Sequence, residues 1–184
     1  IAKLVTWGKD RDTALDTQAE ALDRFHIEGI QDNIPFIAAV MDEKRFRSGD
    51  ITTAYIKDQF PDGFHGTEPT KTQETQLISA AAYVHGFYSR RAQHVTGRIS
   101  PVPEARKDWI VILGDRHHPV HLELGDDGDA QVTINGGKPH SLVTNWNPGQ
   151  HLVEGVLDGK PFAVKFADRT EGYIFRHRGV ALRA

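Results

Sequence analysis

The segment KTQETQLISAAAYVHGFYSRRAQHV, residues 71–95, limits the possible folds more than any other stretch of the chain. Thr70 and Gln73 have the spacing of a capping box, which predicts a long helix from about 71 to about 95. On a helical wheel Leu77, Ile78, Ala80, Ala81, Ala82, Val84, Phe87 and Tyr88 fall on nearly every side instead of forming one stripe. A helix patterned in this way is buried all round, so other parts of the chain must wrap it.

The wrapper is legible downstream. Turn signals at GDR (114–116), GDDGD (125–129), NGG (135–137), NPG (147–149), DGK (158–160), DRTEG (168–172) and RHRG (176–179) divide residues 107–184 into eight short runs of alternating apolar and polar residues. Eight strands joined by tight turns predict antiparallel hairpins. A sheet of that size closes into a barrel whose interior holds side chains or one slender guest. The helix is the natural guest, and the expected fold class for this part is α+β, a central helix encircled by an eight-stranded antiparallel β-barrel.

The first sixty residues have a different pattern. IAKLVTW alternates like a half-buried strand, and Gly8 to Asp12 form a turn in which Asp10 or Asp12 can cap a helix. Leu15, Ala19, Leu22 and Phe25 then recur on one helical face. HIEGI reads as a short strand, after which Asp32 or Asn33 caps a second helix carrying Ile37, Val40 and Met41 and ending near Gly49. This strand-helix-strand-helix piece has too few strands to cover its apolar faces, and together with Ile1 in place of Met it suggests a segment of something longer. PDGFHGTEP is rich in turn residues and predicts a boundary, with residues 1–61 in one domain and 62–184 in the next.

Composition narrows the partners. With a net charge of −3 there is no basic footprint for nucleic acid or for an anionic membrane, and neither is expected as a partner. No apolar run approaches the roughly 20 residues of a membrane helix. The absence of cysteine removes thiolate metal sites and a cysteine nucleophile, and suits a reducing compartment.

GDRHHPVHLELG holds three of the ten histidines and invites a metal reading. On a strand, His117 and His121 share one face about 13 Å apart, whereas two ligands of one zinc each lie about 2 Å from it. His118 joins Val120, Leu122 and Leu124 on the other face, and Pro119 opposes a helix. The expectation is surface imidazoles with one packed inside, and no metal. NGGK and LDGK lack the glycine spacing of a phosphate-binding loop, and no G-x-S-x-G elbow supports a serine nucleophile. Asp126, Asp127 and Asp129 do not continue into a calcium loop and read as a solvated turn. Arg90 and Arg91 suit the negative end of the helix dipole, with an acidic partner as the alternative. No catalytic, cofactor-binding or metal-ligating residue is assigned.

One docking candidate remains. VTGRISPVPEARKD, residues 95–108, is longer than a helix-to-strand connection needs, and two prolines stiffen it. Val95, Arg98, Ile99, Pro101, Val102 and Pro103 are the candidates for subunit docking, and the competing expectation is that its apolar side chains tuck back onto the barrel.

Residues 1–60 resemble the end of a biotin carboxylase domain of the ATP-grasp type, so the resemblance implies a partial α/β tail there. FPDGFHG, TKTQETQLI and YSRRAQH resemble more narrowly the alpha subunits of propionyl-CoA carboxylases. The next module in that family is a biotin-transfer domain, a long helix inside an eight-stranded barrel, which agrees with the pattern read above.

The resemblance implies a parent enzyme, a ligase that uses ATP, magnesium and bicarbonate to carboxylate biotin. A carboxyltransferase beta subunit then transfers the carboxyl group to propionyl-CoA, giving methylmalonyl-CoA. The implied partners are that beta subunit and the biotin carboxylase and biotin carrier domains of the same chain, in bacterial cytoplasm or the mitochondrial matrix. By the same resemblance the ATP lid would precede Ile1 and the Met-Lys-Met biotin acceptor would follow Ala184. Met41, the only methionine, is followed by Asp42, so no biotinyl lysine is assigned. The segment is therefore expected to be inactive alone, and the family's hook loop after the long helix maps onto residues 95–106. Two alternatives stay open: the alpha subunit of a methylcrotonyl- or acetyl-CoA carboxylase, and a ligand-binding β-barrel.

Overall fold

A computed structural model describes every residue except Ile1, Glu28, Val95, Thr96, Arg98, Pro103, Asp126, Glu171 and Ala184. The chain divides into two compact units, Ile1–Pro69 with Arg176–Ala181, and Thr70–Phe175 with Leu182–Ala184.

The first unit is built on helices α1 (Arg11–Arg24), α2 (Ile34–Asp42), α3 (Lys44–Ser48) and α4 (Tyr55–Gln59). Asp10 caps α1 by accepting a hydrogen bond from the Thr13 amide at 2.8 Å, and Leu15, Ala19 and Leu22 form its buried face. Asp32 accepts from the Ile34 amide at 3.0 Å and so serves the start of α2.

The expected second helix is broken in two. Glu43 is extended (φ −74°, ψ 132°), and its carboxylate accepts from the amides of Arg45 and Phe46, which starts α3 afresh. Gly49 (φ 82°) ends α3 in the left-handed conformation, at the place expected from sequence. The strands expected at 1–7 and 26–30 are not formed among the described residues, because a strand needs a laddered neighbour and none lies among the described residues of 2–69.

The tip of the last hairpin also belongs to the first unit. The buried Asp23 carboxylate accepts from the Arg178 guanidinium at 2.7 Å and from its backbone amide at 3.1 Å.

The second unit centres on α5 (Lys71–Gln93), opened by the expected capping box: the Thr70 hydroxyl accepts from the Gln73 amide, and the Gln73 side chain accepts from the Thr70 amide. Around it run β1 (Asp108–Leu113), β2 (Arg116–Leu124), β3 (Asp129–Ile134), β4 (Pro139–Thr144), β5 (Leu152–Leu157), β6 (Lys160–Arg169), β7 (Gly172–His177) and β8 (Val180–Arg183). Each strand pairs with the next in one eight-stranded sheet, and the Gly114 amide donates to the Arg183 carbonyl at 3.1 Å, bringing the ends of the sheet together.

Every residue of α5 from Gln76 to Val84 is buried, as the wheel pattern demands. Inward-facing Leu122, Val132, Leu142, Val153, Val164 and Phe175 line the wall. Trp146 packs edge-on against Tyr83, Phe87, Tyr88 and Phe166, with ring centroids 5.5–6.4 Å apart. The barrel interior is therefore a packed core with the helix as its axis, which removes the reading as an empty ligand-binding barrel.

Candidate docking site

The connection from α5 to β1 is held at both ends. At the helix end, the Arg90 guanidinium donates to the Gly125 carbonyl at 2.8 Å and lies over the Phe87 ring at 5.6 Å. Arg90 thus ties the helix end to the β2–β3 turn, a role that the dipole argument alone did not reveal. At the strand end, the Lys107 carbonyl accepts from the Leu122 amide at 2.8 Å, Lys107 Nζ reaches Glu123 at 3.2 Å, and the Arg106 guanidinium sits 5.3 Å over Trp109.

Between these anchors the described residues stand clear of the barrel. Ile99 is 102% exposed and Val102 51%, and Pro101 is exposed as well. The side chains therefore do not tuck back. Val95, Arg98 and Pro103 lie outside the described residues. A cleft of about 280 Å³ at the foot of the loop is lined by Phe87, Arg90, Arg91, His94, Asn147 and Pro148. Arg106, Lys107 and the contacts of Arg90 were missed from sequence. A cation three residues before Trp109, Arg106, was the one available signal, and it does not specify stacking.

The histidines distribute as the strand reading requires. His117 is exposed and His118 is buried. The ring of His118 lies 3.4 Å from Glu74, whose carboxylate also meets Arg116 at 3.0 Å. His121 Nδ1 contacts Asp108 at 2.7 Å, and this hydrogen bond holds the imidazole pKa above its ordinary value, helped by Glu123. His140 Nδ1 contacts Asp158 at 2.6 Å, which keeps that carboxyl below the usual range. Among the described residues no three His, Asp or Glu side chains are grouped to hold a metal. No described helix is long and apolar enough to cross a membrane.

Residues 77–184, more than half of the chain, match the family model for the propionyl-coenzyme A carboxylase BT domain. The chain belongs to this family. Residues 1–58 match the biotin carboxylase C-terminal domain, so the BT barrel follows a piece of a second domain, as the sequence resemblance implied.

The chain is 35% identical over 184 residues, its whole length, to the propionyl-CoA carboxylase alpha chain of Ruegeria pomeroyi, of which it covers 27%. It is 47% identical over 188 residues to the mitochondrial propionyl-CoA carboxylase alpha chain of Caenorhabditis briggsae, matching 95% of this chain and 25% of that one. Similarity to the methylcrotonoyl-CoA carboxylase subunit alpha of Glycine max is weaker, 25% over 171 residues, or 88% of this chain and 23% of that one. This BT-family chain spans about a quarter of the length of these relatives.

Proposed function

We propose that this chain is the docking and scaffolding portion of a propionyl-CoA carboxylase alpha subunit, and that its α5–β1 loop seats a carboxyltransferase beta subunit. The observation that carries this reading is the exposed apolar pair Ile99 and Val102 on a proline-stiffened loop anchored at both ends. Exposed apolar side chains on a rigid support are the usual form of an interface anchor. The boundary between the biotin carboxylase piece and the BT barrel lies in this reading within residues 62–69.

The parent carboxylates biotin with ATP, magnesium and bicarbonate and passes the carboxyl group to propionyl-CoA. This segment binds none of these and turns over no ATP. Its lack of a Met-Lys-Met sequence supports that division of labour. The compartment is the cytoplasm in a bacterium and the matrix in a mitochondrion. The relatives named above favour propionyl-CoA over methylcrotonoyl-CoA as the acyl substrate of the parent.

The test is binding of the purified chain to carboxyltransferase beta subunits of propionyl-, methylcrotonoyl- and acetyl-CoA carboxylases. Preference for the propionyl partner, and a loss of about tenfold or more with Ile99→Asp or Val102→Asp, is expected. Equal binding by the variants overturns the loop assignment, and preference for another beta subunit overturns the choice of enzyme.

A further inference from the structure

The two arginines in the last turn of α5 have different surroundings. Arg90 is half-buried, with its guanidinium over the Phe87 ring and one N–H given to the Gly125 carbonyl. Arg91 is exposed, and among the described residues its side chain has no partner. The same holds for the side chain of His94, the residue that ends the helix. A helix dipole places only about half a negative charge at this end, so two guanidiniums exceed what it can balance. A surplus of positive charge remains at the surface.

That surplus borders the cleft of about 280 Å³ described above. Phe87, Arg90, Arg91 and His94 line it from the helix, and Asn147 and Pro148 from the connection between β4 and β5. Two of these six residues are permanent cations, His94 becomes a third when protonated, and none is acidic. The imbalance is local, because the whole chain has 25 acidic residues against 22 Lys and Arg. Asp129, whose carboxylate is packed against Gly125, is not among the lining residues. The Phe87 and Pro148 rings supply apolar surface beside the charge. At this volume the cleft falls just below the range of roughly 300–1,000 Å³ typical of small-molecule sites, which suits one or two side chains of a partner protein.

We propose that this cleft receives an Asp or Glu side chain from an acidic segment of the carboxyltransferase beta subunit, and that Arg91 is its main ion-pair partner. The inference rests on the docking reading given under Proposed function, since the α5–β1 loop departs from the helix end that lines the cleft. Arg91 keeps its planar fork of N–H donors free, which matches the two oxygens of a carboxylate. Arg90 has one guanidinium nitrogen committed to the Gly125 carbonyl and retains other donors toward the same anion. The apolar rings suit the methylene stem of an acidic side chain. Because Arg91 is exposed, its charge should act on the rate of encounter and the choice of partner more than on residence time.

The experiment measures binding of the 184-residue chain to the beta subunit of a propionyl-CoA carboxylase, with Arg91→Gln, Arg91→Glu and Arg91→Lys beside the parent. Arg91→Glu should weaken binding about tenfold or more, chiefly through slower association, and Arg91→Gln by less. The difference between parent and Arg91→Gln should vanish at about 0.5 M salt. A carbodiimide should couple the amine introduced by Arg91→Lys to a beta-subunit Asp or Glu, forming an amide while the reagent takes up the water as a urea. Mass spectrometry of the bridged peptides reads the partner carboxylate. Equal binding by parent and Arg91→Glu, or a bridge from position 91 only to the chain's own carboxylates, overturns the proposal. So does inorganic phosphate alone occupying the site at micromolar concentration, which would make it a small-anion site. If Ile99→Asp abolishes binding while Arg91→Glu does not, the loop reading stands and this one falls; no binding by the parent chain overturns both.

Discussion

Gly86 lies so close to Leu122 that a Cβ placed on it would stand 2.3 Å from Leu122 Cδ2. The helix axis can approach β2 to this extent only because residue 86 has no side chain. Leu122 is 2% exposed and walled in, so it has little room to turn aside. Gly86→Ala should therefore destabilise the protein by about 1–3 kcal/mol despite the better helix propensity of alanine. Leu122→Ala alone should cost about 2–5 kcal/mol, and the double variant less than the sum. Urea unfolding of all four proteins checks the coupling, and strict additivity would show that the contact is unimportant.

The loop and the core should respond in opposite ways to substitution. Ile99→Asp, at a fully solvated position, should leave stability within about 0.5 kcal/mol of the parent chain. Leu77→Ala, at a position with no exposure, should cost about 2–5 kcal/mol. Thermal melts of both variants measure the difference.

His121 should make stability depend on pH in a definite direction. Its hydrogen bond to Asp108 raises the pKa in the folded state above the unfolded value of about 6.5. The stabilisation is then complete below about pH 6.5 and fades as pH rises through the folded value. The largely exposed pair is worth a few tenths to about 1 kcal/mol at most. Stability of His121→Gln relative to the parent chain should be lower at pH 5.5 and equal at pH 9, and Asp108→Asn should return the His121 titration seen by NMR toward the ordinary value.

Asp23 is buried and takes two hydrogen bonds from Arg178. Removing the carboxylate leaves a mostly covered guanidinium with Asp42, 3.6 Å away, in place of its two close hydrogen bonds. Asp23→Ala should cost about 3–5 kcal/mol, and Arg178→Met in that background should recover part of the loss. Denaturation of the single and double variants provides the measurement.

The long helix, its capping box, the seven turns and the eight strands were all readable in the sequence, because each rests on local chemistry: a period of 3.6 or of 2, a capping hydroxyl, or a glycine or asparagine that accepts positive φ. The separation of His118 from His117 and His121 was readable for the same reason. The strands expected at 1–7 and 26–30 failed because alternation records a willingness to pair, and pairing needs a neighbour that local sequence does not contain. The exposed α5–β1 loop was located by its length and prolines, whereas its anchors, Arg90 on the Gly125 carbonyl and Arg106 over Trp109, join residues distant in sequence or chosen by side-chain packing.

Burial of α5 on all sides from Gln76 to Val84 was thus determined by sequence alone, since an apolar residue on every face of a helix must be kept from water whatever covers it. That His85, alone in the run from Gln76 to Gly86, is left exposed was decided only in three dimensions. Closing a sheet depends on the register of its first strand against its last, and no local run of residues encodes that distance.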